Sequence, residues 1–187
     1  MIIADKLKKS NRAEYLLYLW QVEDIIRAYQ CNEEQLVQHY VSRFNLDTAI
    51  QERVNEWYSN LCEMMRSEGK REHGHLQICA NILQDLIELH NQLLTSPKFP
   101  YYKEMYYKIL PYVVELRSKS HTDKGPSENK ESEIETCFDF LYGILMLRLQ
   151  KKTITAETDK AIKDISGFLG QLSDYYFKDK DTPLEFQ

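Results

Sequence analysis

The chain has 187 residues, 43% hydrophobic and 28% charged. That is enough length and apolar material for a real core, and too apolar a composition for a disordered chain. A net charge of −5 argues against a nucleic-acid partner, because a polyanion calls for a basic surface. Glycine (6) and proline (5) are scarce, as expected where most residues sit in helices.

The first ten residues read as a short arm. Asn11 then has the position of an N-cap, with Glu14 three residues on to close a capping box. The periodicity predicts a helix to about Tyr29 with Tyr15, Leu19, Val22 and Ile26 inward; Gln21, Asp24 and Arg27 face out, and Glu23 lies at the boundary. Asn32 and Gln35 repeat the capping pattern for a short helix ending near Phe44. Asp47 caps a third helix carrying Ile50, Val54, Trp57, Tyr58, Leu61 and Met65 at three- and four-residue steps, with Gly69 as its C-cap. A fourth helix is predicted from about His75 to Leu94. Pro100 can open the fifth, where its missing N–H costs nothing. Pro111 lies inside that helix and predicts a kink or two shorter helices. Residues 118–132, polar with Gly125-Pro126 at the centre, read as a mobile surface loop. Thr153 or Thr155 caps a last helix to about Phe177, and the tail 178–187 reads as loose.

The stretch from Ile134 to Leu149 is apolar on all sides except a strip of Glu135, Thr136, Asp139, Gly143 and, beyond it, Gln150. It is too short for a membrane span and holds Asp139 and Arg148. It therefore reads as the central helix, near 133–151, of a soluble all-α protein. The expected architecture is a single domain, 1–187, forming an antiparallel helical bundle of six or seven helices. No strand pattern and no internal repeat is visible.

The cysteines are Cys31, Cys62, Cys79 and Cys137, none in a C-x-x-C pair. Each falls in or beside a helix, where a free thiol behaves as a small apolar residue. The opening residues have no cationic region followed by a long apolar run, so no secretory signal is read. A cytoplasmic setting with free thiols is the expectation.

Phosphate-binding glycine loops, nucleophile elbows and zinc-type Cys/His pairs are missing. His75, Cys79 and His90 share the apolar side of the fourth helix. His75 and Cys79 are one turn apart, a spacing that could hold a metal, but one pair of ligands is not a site. Glu72 and His75 form a Glu-x-x-His, whereas a di-iron bundle needs two such pairs and two more glutamates. No cofactor or metal is expected. Arg148 projects among Cys137, Leu141 and Ile144, and a buried guanidinium must be paired or must reach water. It either snorkels out near the helix end or forms a buried pair, with Glu23 the best-placed acid. Arg148, Glu23, His75 and His90 are thus the candidate polar cluster. Tyr101, Tyr107 and Trp57 are the candidate interface aromatics, since tyrosine and tryptophan are enriched at protein interfaces. The plainer reading places such rings at the core edge.

Four stretches carry a resemblance: AEYLLYLWQVEDIIRA (Ala13–Ala28), GHLQ (Gly74–Gln77), LHNQLLTSPKFPYYKEMYYKILPYVVELRSK (Leu89–Lys119) and EIETCFDFLYGILMLRLQKKTITAET (Glu133–Thr158). Together the chain resembles an uncharacterised bacterial domain-of-unknown-function family, all-helical and of about this length. The resemblance implies a bacterial setting and supplies no activity, cofactor or catalytic residue.

Two functions stay open. The first is a non-catalytic cytoplasmic protein that binds another protein or itself, with neither nucleic acid nor membrane as partner. The second is a small-molecule binder or enzyme with a polar pocket around Arg148, Glu23 and a core histidine. The absence of a catalytic constellation favours the first.

Overall fold

Four helix starts that the capping residues predict are where helices start in the computed structural model, which describes residues 2–120 and 132–187. Asn11, Asn32, Asp47 and Thr155 each accept a hydrogen bond from the backbone N–H three residues on. Each satisfies one of the donors that a helix N-terminus leaves over. Among the described residues the elements are α1 (Ile2–Ser10), α2 (Arg12–Ala28), α3 (Glu33–His39), a 3₁₀ turn (Val41–Phe44), α4 (Thr48–Ser67), α5 (Gln77–Thr95), α6 (Pro100–Ser120), α7 (Glu133–Leu149) and α8 (Ala156–Asp181). The protein is all-α, with no strand among the described residues.

The chain divides into two compact units, 1–82 and 83–187, and the boundary falls inside α5. In the first unit α1 packs on α2 and buries Ala4; the expected arm is a helix. The α2 core residues Tyr15, Leu16, Leu19, Val22 and Ile26 are all buried, as are Val54, Tyr58, Leu61 and Met65 of α4. Not all neighbours are antiparallel: α2 and α4 run in the same sense, since Tyr18 bonds Tyr58 and, further on, Arg66 donates to the Cys31 carbonyl at 3.0 Å. α3, lying between them in the chain, returns it to the starting end. α4 ends at Gly69, φ +68°, a left-handed residue that lets Lys70 N–H reach back to the Met65 carbonyl at 2.8 Å and closes the last turn.

In the second unit α6 and α8 pack antiparallel. Phe99 and Tyr102 meet Tyr175, and Lys108 and Tyr112 meet Asp164. Tyr102, Ile109 and Val113 of α6 and Ile165, Phe168, Leu169 and Leu172 of α8 fill this core. Each such fully buried side chain contributes about 1.5–3 kcal/mol. α6 is one continuous helix through Pro111, not two shorter ones. Pro111 lies on its exposed side, where water can take the place of the missing helical bond.

Two further expectations need correction. α7 is enclosed along its first turns and at Ile144, but not around its whole girth further on. Ile134, Thr136, Cys137 and Phe138 are buried, as is Ile144. Phe140, Leu141, Leu145, Met146 and Leu147 are half-buried, and Leu149 is exposed. An apolar periodicity reports which faces are greasy, but not which of them a neighbour covers. The tail is also less loose than expected. α8 continues to Asp181, Asp179 accepts from Leu184 N–H at 2.8 Å, and Phe186 packs on Phe99. Of the expected mobile loop, residues 118–120 belong to α6 and Ser132 caps α7; residues 121–131 lie outside the described residues.

Candidate functional site

α2 carries Trp20, Glu23 and Arg27 on one side, at steps of three and four. The connector between α4 and α5 folds over this side. It contains Gly69 and Gly74, both with positive φ (+68° and +79°), which ordinary residues adopt only under strain. Arg27, expected to face out, is half-buried and pins the connector. Its Nε donates to the Lys70 carbonyl at 3.2 Å and its Nη2 donates to the Gly74 carbonyl. Nη1 pairs with Asp24 at 2.7 Å.

Glu23 is 1% exposed, and its carboxylate gathers three donors. Oε2 lies 2.6 Å from His75 Nδ1, Oε1 accepts the Leu76 backbone N–H at 2.9 Å, and Oε1 also accepts the Cys79 thiol at 3.3 Å. The chemistry of α5 explains the arrangement. Leu76 takes the N-cap place, its carbonyl accepting from Ala80 N–H at 3.1 Å, yet leucine has no side-chain oxygen to offer the free N–H groups. Acids from elsewhere supply it: Glu23 for Leu76, and Glu68, 2.6 Å from the Gln77 N–H. Negative charge there also meets the positive end of the helix dipole. Glu68 and Arg27 were not marked out by the sequence. The one available signal was a helix opening on Leu-Gln with no capping residue.

The His75 ring stacks on Trp20, centroids 4.2 Å apart and planes 17° off parallel, and its side chain is 39% exposed. A carboxylate accepts only, so Nδ1 carries the proton and Nε2 faces away from Glu23. This is how a general base is oriented, but the thiol bonded to the same carboxylate, Cys79, is not an activated nucleophile. Burial and the nearby Glu23 push the Cys79 thiol far above its ordinary pKa, so it stays protonated and unreactive. Glu72 is exposed, and among the described residues no three His, Cys, Asp or Glu side chains are placed to hold a metal ion. The cluster clamps the start of α5 to α2.

The other sequence candidates do not join it. Glu23 meets Arg27, His75, Leu76 and Cys79, all in the first unit. Arg148, one of the two outcomes foreseen for it, reaches solvent: it is 55% exposed and lies 3.5 Å from Asp159. The proposed Glu23–Arg148 pair is therefore corrected to Glu23–His75. His90 belongs to the second unit, buried among Tyr102, Tyr106 and Phe168, with Nδ1 2.8 Å from the Tyr102 hydroxyl. Burial lowers its pKa to about 4, so it is a neutral core group near pH 7. Trp57 is half-buried edge-on against Tyr58, whereas Tyr101 and Tyr107 stand exposed on α6.

In the second unit an open depression of about 220 Å³ is lined by residues of α6 and α8, including Tyr101, Lys108 and Asp164. That is below the roughly 300 Å³ of ordinary small-molecule pockets. No helix among the described residues is long and apolar enough to cross a membrane.

No curated protein matches the chain, and no solved structure matches it. The family model for the domain of unknown function DUF4924 covers residues 1–182, all but the last five residues and both compact units. The chain therefore belongs to the DUF4924 family.

Proposed function

We propose that the protein acts by binding another protein through the exposed face of α6, and that it has no catalytic centre. The observation that carries this reading is an apolar strip on a helix otherwise anchored in the core. Tyr107 is 65% and Val114 60% exposed, Pro111 between them is exposed, and Leu110 is half-buried. At about 100° per residue these four share roughly 100° of the helix surface. Exposed apolar groups gathered in this way mark contact surfaces more often than scattered ones do. The small-molecule alternative loses its footing because Arg148 lies at the surface and the Glu23 carboxylate is already filled by three donors.

The same reading places the protein in a bacterial cytoplasm, supported by four buried free cysteines and by the family resemblance. It assigns neither nucleic acid nor membrane as partner, in keeping with the net charge of −5. The test is recovery of cross-linked complexes from cells expressing tagged wild type or Val114→Glu at native level. A partner present with wild type and lost with the variant, at unchanged melting temperature, is expected. Identical recoveries from both proteins, or no partner from either, would overturn the reading.

A further inference from the structure

The apolar strip on α6 is bordered by a charged row: Glu104, Lys108, Glu115 and Lys119, all exposed. At about 100° per residue they fall within roughly 60° of one another, on the same edge of the strip. Their order is acid, base, acid, base, at steps of four, seven and four. Reversed in direction, the row complements itself. Glu104 meets Lys119 and Lys108 meets Glu115, both pairs centred between residues 111 and 112. In a parallel two-fold pair this edge would face the opposite edge of the partner, and the row would not meet itself.

From this we infer that the partner of the α6 face is a second copy of the chain, docked antiparallel across a two-fold axis at the level of residues 111–112. This rests on the reading that α6 is a binding surface, and it names the occupant. In a two-fold antiparallel helix pair the same edge of each helix faces its equivalent, so the charged row meets itself reversed. The axis then brings Pro111 of one copy to within about 3 Å of the level of Val114 of the other, twice over, with Tyr107 and Leu110 flanking. α6 has 21 residues, about 31 Å of helix, so all of these contacts form at once. Within one chain Lys108 bonds Asp164 at 2.6 Å and Lys119 bonds Glu115 at 2.5 Å. The Lys119–Glu115 pair lies at the surface and is readily exchanged; Asp164 is only 12% exposed, but Lys108 itself is 63% exposed and can share its charge with a facing carboxylate.

The experiment is sedimentation velocity on the full chain from about 1 µM to about 100 µM, a range that brackets a micromolar dimer. The mass is expected to rise from 22.3 kDa towards twice that value. Lys108→Glu and Glu115→Lys each turn two symmetric attractions into repulsions, so each weakens the dimer about tenfold. The double variant, with the charges exchanged, recovers to within about threefold of wild type. Val114→Glu abolishes the dimer, and melting curves confirm that the variants remain folded. A constant monomer mass overturns the inference, as does a dimer indifferent to Val114→Glu or a double variant no better than the singles. A chain that stays monomeric, yet loses a cellular partner through Val114→Glu, overturns self-pairing alone and leaves the binding reading standing.

Discussion

Truncating Glu23 tests whether the polar cluster is a clamp. Glu23→Ala removes the acceptor for Leu76 N–H, His75 Nδ1 and the Cys79 thiol. These losses are unequal. His75 is partly exposed, so water replaces its lost partner at little cost. The thiol at 3.3 Å is a weak donor. Leu76 is fully buried, so its N–H finds no water, and an orphaned buried donor costs about 1–3 kcal/mol. The cavity left in place of the side chain adds to this, for about 3 kcal/mol in all. Glu23→Gln keeps an acceptor for Leu76 and Cys79 and still places a polar group beside His75 Nδ1, so about 1 kcal/mol is expected. His75→Ala, which leaves the Leu76 bond intact, also costs about 1 kcal/mol. Urea unfolding followed by circular dichroism gives the three values. Refutation comes from a Glu23→Ala protein within about 0.5 kcal/mol of wild type, or from Gln and Ala variants that are equally damaged. Either result removes the hydrogen-bonding account of Glu23.

Acid sensitivity follows from His90. Its pKa of about 4 in the fold lies below the unfolded value of roughly 6.5, so the unfolded chain binds the proton more readily. The stabilisation is fully present above about pH 6.5 and is lost as pH falls to about 4, by about 3 kcal/mol in all. Urea titrations at several pH values should show His90→Gln losing part of this slope; an unchanged slope would contradict the assignment. The thiols should be inert in the native state: all four are buried, and burial raises Cys62 to about 11 and Cys137 to about 12. Thiol titration with a chromogenic disulfide is expected to give four equivalents only after denaturation, and one fast native thiol would be inconsistent with this. Gly143 is exposed within α7, with open space where a Cβ would go. Gly143→Ala should therefore stabilise by about 0.5–1 kcal/mol, and a lower melting temperature would mean that the site is packed in solution.

The caps at Asn11, Asn32, Asp47 and Thr155 were legible because a capping bond is local: a side-chain oxygen and an N–H three residues away, both in one short stretch. The inward stripes of α2 and α4 were legible for the same reason, as helical periodicity needs no partner to be read. α1 was not, since nothing in Ile2–Ser10 signals a cap and the helix is held by packing of Ala4 against α2. Arg27 reads as outward on the helical wheel, and only the fold of the connector converts it into an anchor. Glu23 and His75 could be marked as polar groups near a core, but their meeting 52 residues apart depends on the path of α4. Arg148 lies on a greasy face of α7 yet reaches water, where it lies 3.5 Å from Asp159 of α8.

The central claim is that this protein works through a surface on α6 and uses the Glu23–His75 cluster only to hold its fold. Its most direct test is a photo-crosslinking residue placed in turn at Tyr107, Val114 and His75 of the intact protein in its own cells. The account predicts protein–protein adducts from positions 107 and 114 and none from 75. Adducts at 75, with positions 107 and 114 silent, would contradict it and return attention to the histidine.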